Sequence, residues 1–179
     1  MSQIGNVYGL ALYSLAKEEE LCDAILWELY VLDHSFKEEP QFFRLLSAPN
    51  ISVAERCQII DDCFRGKVHQ YVLNFLKILT EKGAIKSFSS CFDAYVKEYN
   101  EERQILLVTA VTAVPLTFQQ HAKLEATLSK VTGKNAQVIS RVDPECMGGV
   151  RLDYDGKRID GSVANRLESI RSMLKNTVL

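Results

Sequence analysis

Between Gly148 and Leu167 the chain reads GGVRLDYDGKRIDGSVANRL, with glycines, carboxylates, a lysine and a serine crowded together. Such a mixture could cradle a phosphate or hold a calcium ion. A phosphate loop needs two glycines five positions apart, followed by Lys and then Ser or Thr, so that backbone N–H groups meet the phosphates and the hydroxyl meets magnesium. Here Gly149 and Gly156 are seven positions apart, and Gly156-Lys157 is followed by Arg158, which has no hydroxyl. A calcium loop fares no better. Asp153 and Asp155 have the spacing of its first two ligands, but Lys157 stands where a third oxygen is required and no closing glutamate follows. The glycines are better explained as turn residues, Asp155-Gly156 above all.

Nucleophilic chemistry has little to draw on. The three histidines, His34, His69 and His121, accompany no G-x-S-x-G elbow, and Ser162 has the setting of a helix cap. Asp61-Asp62 and Glu101-Glu102 have the pattern of solvated helix faces. Cys22, Cys57, Cys63, Cys91 and Cys146 form no C-x-x-C pair, so neither a zinc knuckle nor a disulfide framework is expected. Reduced, mostly buried thiols in a cytosolic compartment are expected instead. No catalytic, cofactor or metal site is predicted.

The whole chain agrees with that reading. With 179 residues, 47% hydrophobic and 25% charged, it can bury one ordinary core or two small ones. A formal net charge of −2 disfavours nucleic acid as a partner. The opening MSQIGNVYGLALYSLAKEEE lacks the basic flank and cleavage site of a secretory signal, and no apolar run has the length of a membrane span. Any contact with a membrane is therefore expected to pass through a partner.

Up to Arg103 the apolar residues recur at helical spacing, which predicts an all-α six-helix bundle over residues 1–103. The first helix has a stripe of Val7, Leu10, Ala11 and Leu15; the second has Leu21, Ile25, Leu29 and Leu32, widened by Trp27 and Val31. A short third helix lies between Pro40 and Pro49. Ser52 and Glu55 have capping-box spacing at the head of a fourth, whose inner face is Val53, Cys57, Ile60 and Phe64 and which stops at Gly66. The fifth places Val68, Val72, Phe75, Leu76 and Leu79 inward and ends at Gly83. The sixth carries Ile85, Phe88, Phe92, Tyr95, Val96 and Tyr99. Two of these helices are apolar on more than one side: the first through Tyr8, Leu12 and Tyr13, the fifth through Leu73 and Ile78. Deep burial or an exposed groove for a partner's amphipathic helix would each leave that signature.

At Gln104 the period changes, and residues 104–179 are predicted to form a small α+β domain, giving an α+β fold overall. ILLVTAVTAV is β-branched and closed by Pro115. Thr117 and Gln120 repeat the capping-box spacing before a helix with His121, Leu124, Leu128 and Val131 inward and Gly133 at its end. Strands follow at 136–142, 149–154 and 157–159, the last two joined at Asp155-Gly156. Ser162 caps a final helix with Val163, Leu167, Ile170 and Leu174 inside.

In the order GG, strand, tight turn, D-G-S and helix, the C-terminal run resembles the delta subunit of bacterial F-type ATP synthases, a family that includes the mitochondrial oligomycin-sensitivity-conferring protein. The matching positions are Gly148-Gly149, Asp160-Gly161-Ser162 and Leu167. VYGLALYSLA is similar to the family's opening helix, NFLKILTEKGAI to its fifth helix, and VTAVPLT to its strand exit. Two positions depart: Asp155-Gly156 reverses the family's usual Gly-Asp, and Ala84 replaces the arginine of its G-R-L.

The resemblance implies a stator component with no catalysis and no cofactor. Its helical domain would bind N-terminal segments of the α subunits of the catalytic head, and its C-terminal domain would bind the b subunits of the peripheral stalk. Rotation would then be coupled to proton or sodium translocation and ATP synthesis, where without the link the head would turn idly. On this reading Val7, Tyr8, Ala11 and Leu12 of the first helix, with Val72, Leu76 and Leu79 of the fifth, line a groove for an α-subunit helix. The protein would be a monomer within a hetero-oligomer, peripheral at the cytoplasmic face of the bacterial cell membrane. The alternatives are an RNA-binding helical adaptor of the NusB-like type, which wants an arginine-rich segment absent from the first half, and a small hydrolase.

Overall fold

The computed structural model describes residues 3–48 and 50–167. The fold is α+β, mainly helical with a small four-stranded sheet. The chain divides into two compact units, Met1–Tyr99 and Asn100–Leu179. No helix among the described residues is long and apolar enough to cross a membrane.

Before the first strand come α1 (Gln3–Glu18), α2 (Cys22–Glu38), α3 (Pro40–Leu46), α4 (Val53–Phe64), α5 (Gln70–Glu81), a 3-10 turn (Ile85–Ser87) and α6 (Phe88–Glu102). Local chemistry starts and stops several of them. The capping box of α4 forms as the spacing predicts: Ser52 N–H donates to Glu55 Oε2 at 3.0 Å and Glu55 N–H to Ser52 Oγ at 3.2 Å. The hydrogen bonds from Ser52 hold the Glu55 carboxyl below the usual range. At the end of α5 the chain turns through Gly83 at φ +65°, and Ala84 is buried.

The helical unit closes over one apolar core that includes Ile25 and Leu29 of α2, Ile60 of α4, Val72, Leu76 and Leu79 of α5, and Phe88 and Tyr95 of α6. The edge of Tyr13 meets Tyr95 with ring centres 5.2 Å apart. Burial pushes the Cys91 thiol up to about 11. Cys91 and Cys146 are buried, while Cys22, Cys57 and Cys63 are partly exposed, and all five are free.

The orientation of α1 corrects the expected stripe. Leu12, Tyr13 and Ala16 face the core, whereas Val7 is 61% exposed and Leu10 and Ala11 also face outward. The deciding residue is Gly9. A Cβ there would stand 2.4 Å from the carbonyl oxygen of Cys91 and 2.8 Å from Ala94 Cβ, so α1 lies against α6 on its glycine side. Val53, expected inside, is exposed in the first turn of α4.

One buried polar atom makes a test of the core. Thr80 is fully buried and its Oγ1 has no hydrogen-bond partner. Thr80→Val keeps the shape and removes the orphaned hydroxyl, so the urea midpoint should rise, by about 1 kcal/mol of stability.

In the second unit the order is β1 (Ile105–Thr112), α7 (Phe118–Thr132), β2 (Asn135–Val142), a 3-10 turn (Pro144–Cys146), β3 (Val150–Tyr154) and β4 (Lys157–Asp160). Across the sheet the strands lie β2-β1-β3-β4. β1 and β2 are parallel, in register from Ile105 against Asn135 to Thr112 against Val142, with α7 as their crossover. β3 runs antiparallel to β1, Ala110 facing Leu152, and turns through Asp155 (φ +46°) and Gly156 (φ +71°) into β4. Two consecutive positive φ values suit the Asp-Gly hairpin read from sequence.

Leu106, Val108, Ala110 and Val138 pack with Leu124 and Leu128 of α7. The second capping box also forms, with Thr117 N–H donating to Gln120 Oε1 at 2.9 Å, and α7 ends at Gly133 with φ +69°. Val131, expected inward, is 79% exposed in the last turn. His121, Glu125 and Ser129 recur every four residues along α7, on one face of the helix. His121 Nε2 bonds the Val138 carbonyl at 2.9 Å, Val138 N–H donates to Glu125 at 3.0 Å, and Ala136 N–H donates to Ser129 Oγ at 2.9 Å. These side chains occupy backbone groups of the edge strand β2 that would otherwise invite another strand. Residues 163–167 are helical, but Val163 and Leu167 are exposed rather than inside; Ile170 and Leu174 lie outside the described residues.

Candidate partner-binding surface

α1 and α5 each carry more apolar surface than the core consumes, and the surplus meets between them. A groove of about 450 Å³ is lined by Tyr8, Ala11, Leu12 and Leu15 of α1 and by Tyr71, Asn74, Phe75 and Ile78 of α5. Ile78 is 43% exposed on its wall. The floor is firm, because Leu12 and Phe75 also belong to the core.

Four of the seven residues expected to line a groove lie on α1, and three of those four do so: Tyr8, Ala11 and Leu12. Val7 is exposed but is not among the lining residues. On α5 the expectation needs correction. Val72, Leu76 and Leu79 are completely buried and point into the core, so the groove wall falls to Tyr71, Asn74, Phe75 and Ile78. Successive helical residues are about 100° apart, so moving the wall by one residue puts different side chains in the groove. Ile78, noted in the sequence as lying off the core stripe, was the available signal.

The polar surroundings position α5. Lys77 of α5 meets Asp61 of α4 at 2.7 Å, and Arg65 meets the same carboxylate at 3.2 Å, which keeps Asp61 below the usual carboxylate range. His69 caps α5 by accepting from Tyr71 N–H at 3.3 Å, and its own N–H donates to Glu28 of α2 at 2.8 Å. Burial, and then the Glu19 carboxylate beside it, raise the Tyr71 hydroxyl.

The glycine-rich stretch of the second unit is architecture. Gly149 has φ +78°, and a Cβ there would stand 2.6 Å from the carbonyl oxygen of Gly161. Gly148 C=O accepts from Val163 N–H at 3.0 Å, and Val150 C=O accepts from Gly161 N–H at 3.1 Å, so the GG and DGS segments lie against each other. Asp160 accepts from Ser162 N–H at 2.9 Å; the Ser162 side chain first, and then this backbone bond, hold its carboxyl low, and the buried Ser162 accepts from Asn165 N–H at 3.2 Å as the helix cap. Among the described residues no group of His, Cys, Asp and Glu could hold a metal ion.

This motif and the two-part fold can be set beside known proteins. The sequence profile described as ATP synthase delta (OSCP) subunit matches residues 4–174. The chain belongs to the ATP synthase delta (OSCP) subunit family. A protein of Alkaliphilus oremlandii (strain OhILAs) named ATP synthase subunit delta is 36% identical over 176 residues, covering 98% of each chain. One of the same name from Clostridioides difficile (strain 630) is 30% identical, covering 98% of this chain and 97% of its own. In fold, the chain is similar to one in the Toxoplasma gondii mitochondrial ATP synthase hexamer, with a TM-score of 0.74, 22% identity and coverage of 97% and 98%. Delta subunits of this family are structural, non-catalytic parts of the ATP synthase, and so is this chain. The RNA-binding alternative finds no support in these likenesses.

Proposed function

We propose that this delta-family chain links the α subunits of the catalytic head to the b subunits of the peripheral stalk. Residues 1–103 act as a six-helix bundle that takes an α-subunit N-terminal helix, and residues 104–179 hold the stalk. The protein works as a monomer within the hetero-oligomer, peripheral at the cytoplasmic face of the bacterial cell membrane.

The observation that carries this reading is the apolar groove between α1 and α5. An amphipathic helix buries its apolar face in such a groove through anchors spaced three and four residues apart. A static link under torque needs slow dissociation, which well-packed apolar contacts supply without any bond being made or broken.

Binding of a synthetic peptide from the N-terminus of the cognate α subunit to the full chain, followed by calorimetry, tests the proposal. Ile78→Asp should weaken binding at least tenfold, about 1.4 kcal/mol, while its thermal melt stays close to that of the unaltered chain because Ile78 is partly exposed. Tyr8→Asp should act in the same direction. Unchanged affinity in both variants would reject the groove.

A further inference from the structure

The two ends of the α1/α5 groove are chemically different. At one end α1 closes with Lys17-Glu18 and the turn after it adds Glu19-Glu20, all exposed, three carboxylates against one ammonium. The Glu19 carboxylate lies close enough to the Tyr71 hydroxyl to raise it, Leu15 and Tyr71 both line the groove, and Tyr71 is the second residue of α5. The end of α1 therefore lies beside the start of α5, and the two helices run in opposite directions along the groove. The other end has Tyr8, preceded by the uncharged Gly5, Asn6 and Val7, and Ile78, followed at the surface by one acid and one base, Glu81 and Lys82. One helix C-terminus and one helix N-terminus meet at the acidic end, so their dipoles oppose each other and the side chains set the sign. Between the ends the walls are apolar apart from Asn74, whose Oδ1 already accepts from Gln70 at 2.9 Å.

We infer that this groove selects direction as well as hydrophobicity: the bound helix carries basic side chains at the end that lies over Glu18–Glu20 and Tyr71, and uncharged ones at the end beside Tyr8 and Ile78. The inference rests on the reading of the groove as a helix-binding site. The apolar walls hold the helix by burial and are indifferent to its direction. The acidic end supplies the difference in energy between the two directions, which is what specificity requires. Its charges are exposed, so the preference is modest and salt-sensitive.

Two designed peptides of roughly 16 residues, about 24 Å long as helices, provide the test. Both carry the same leucine stripe; one has two lysines in its last turn and the other two glutamates. At low salt the full-length protein should bind the lysine-ended peptide roughly fivefold more tightly. The Glu18→Lys/Glu19→Lys protein should lose or invert that ratio, a comparison in which the peptides' own helix propensities cancel. A nitroxide at the lysine-bearing end should broaden the amide signals of Glu19 and Tyr71 and spare those of Val7 and Ile78. An equal ratio in the two proteins, or broadening at Val7 and Ile78, overturns the directional inference. The groove reading survives that result provided Ile78→Asp weakens both peptides. If neither peptide binds, or Ile78→Asp affects neither, the groove reading fails and the inference with it.

Discussion

Gly149→Ala is expected to destabilise the C-terminal unit by roughly 4 kcal/mol, from two costs that act together. The backbone at φ +78° is one that L side chains rarely adopt, which costs about 1–3 kcal/mol. The new Cβ would also stand 2.6 Å from the carbonyl oxygen of Gly161 and 3.1 Å from the Cα of Ser162. Those neighbours are backbone, so no rotamer change relieves the contact, and overpacking adds about 1–3 kcal/mol. The sum is a large fraction of the roughly 5–15 kcal/mol that holds an ordinary domain together. Hydrogen exchange should report it selectively, with amides of β1 and β3 losing protection. Gly156→Asn is the control: φ is similar at +71°, nothing lies within 4 Å of a Cβ, and asparagine tolerates that region. Equal losses in the two variants would show that the close approach to Gly161 contributes nothing.

Gly9→Ala should lower the stability of the helical unit by roughly 2–3 kcal/mol, against the usual direction of that substitution. In an exposed helix interior the change from glycine to alanine is favourable by about 1 kcal/mol. Here the methyl would stand 2.4 Å from the Cys91 carbonyl oxygen and 2.8 Å from Ala94 Cβ, so α1 must move away from α6. Displacing α1 opens space around Leu12, Tyr13 and Ala16, all buried, and voids of that kind are costly. The thermal midpoint should fall by roughly 10 °C or more for a unit of this size. Since α1 also forms one wall of the groove, affinity for an apolar helix should fall in the same variant. A melt at or above that of the unaltered chain would mean that the helices part without loss.

The two consequences differ in how visible they are in the primary structure. Gly149 belongs to a recognisable motif, whereas Gly9 sits inside an apparently ordinary amphipathic stretch. The features legible from residue order alone are those fixed within a few residues of chain. Ser52 with Glu55, Thr117 with Gln120, Ser162 as a cap, the Asp155-Gly156 hairpin and the change of period at Gln104 depend on local hydrogen bonds and φ preferences. The resemblance of the GG and DGS segments to the delta family was readable for the same reason.

Tertiary packing decided which face of α1 turns inward. Its apolar residues cover more than half of the cylinder, so periodicity offers two nearly equal choices, and contact with α6 at Gly9 selects between them. That choice puts Leu12, Tyr13 and Ala16 in the core and brings Tyr8, Ala11 and Leu15 to the groove. On α5 it is the burial of Val72, Leu76 and Leu79 that leaves Tyr71, Asn74 and Ile78 as the wall. Hydrophobic pattern records how much surface a helix must cover, but a helix apolar on two sides does not record which neighbour covers which. That assignment is made where backbones can approach most closely.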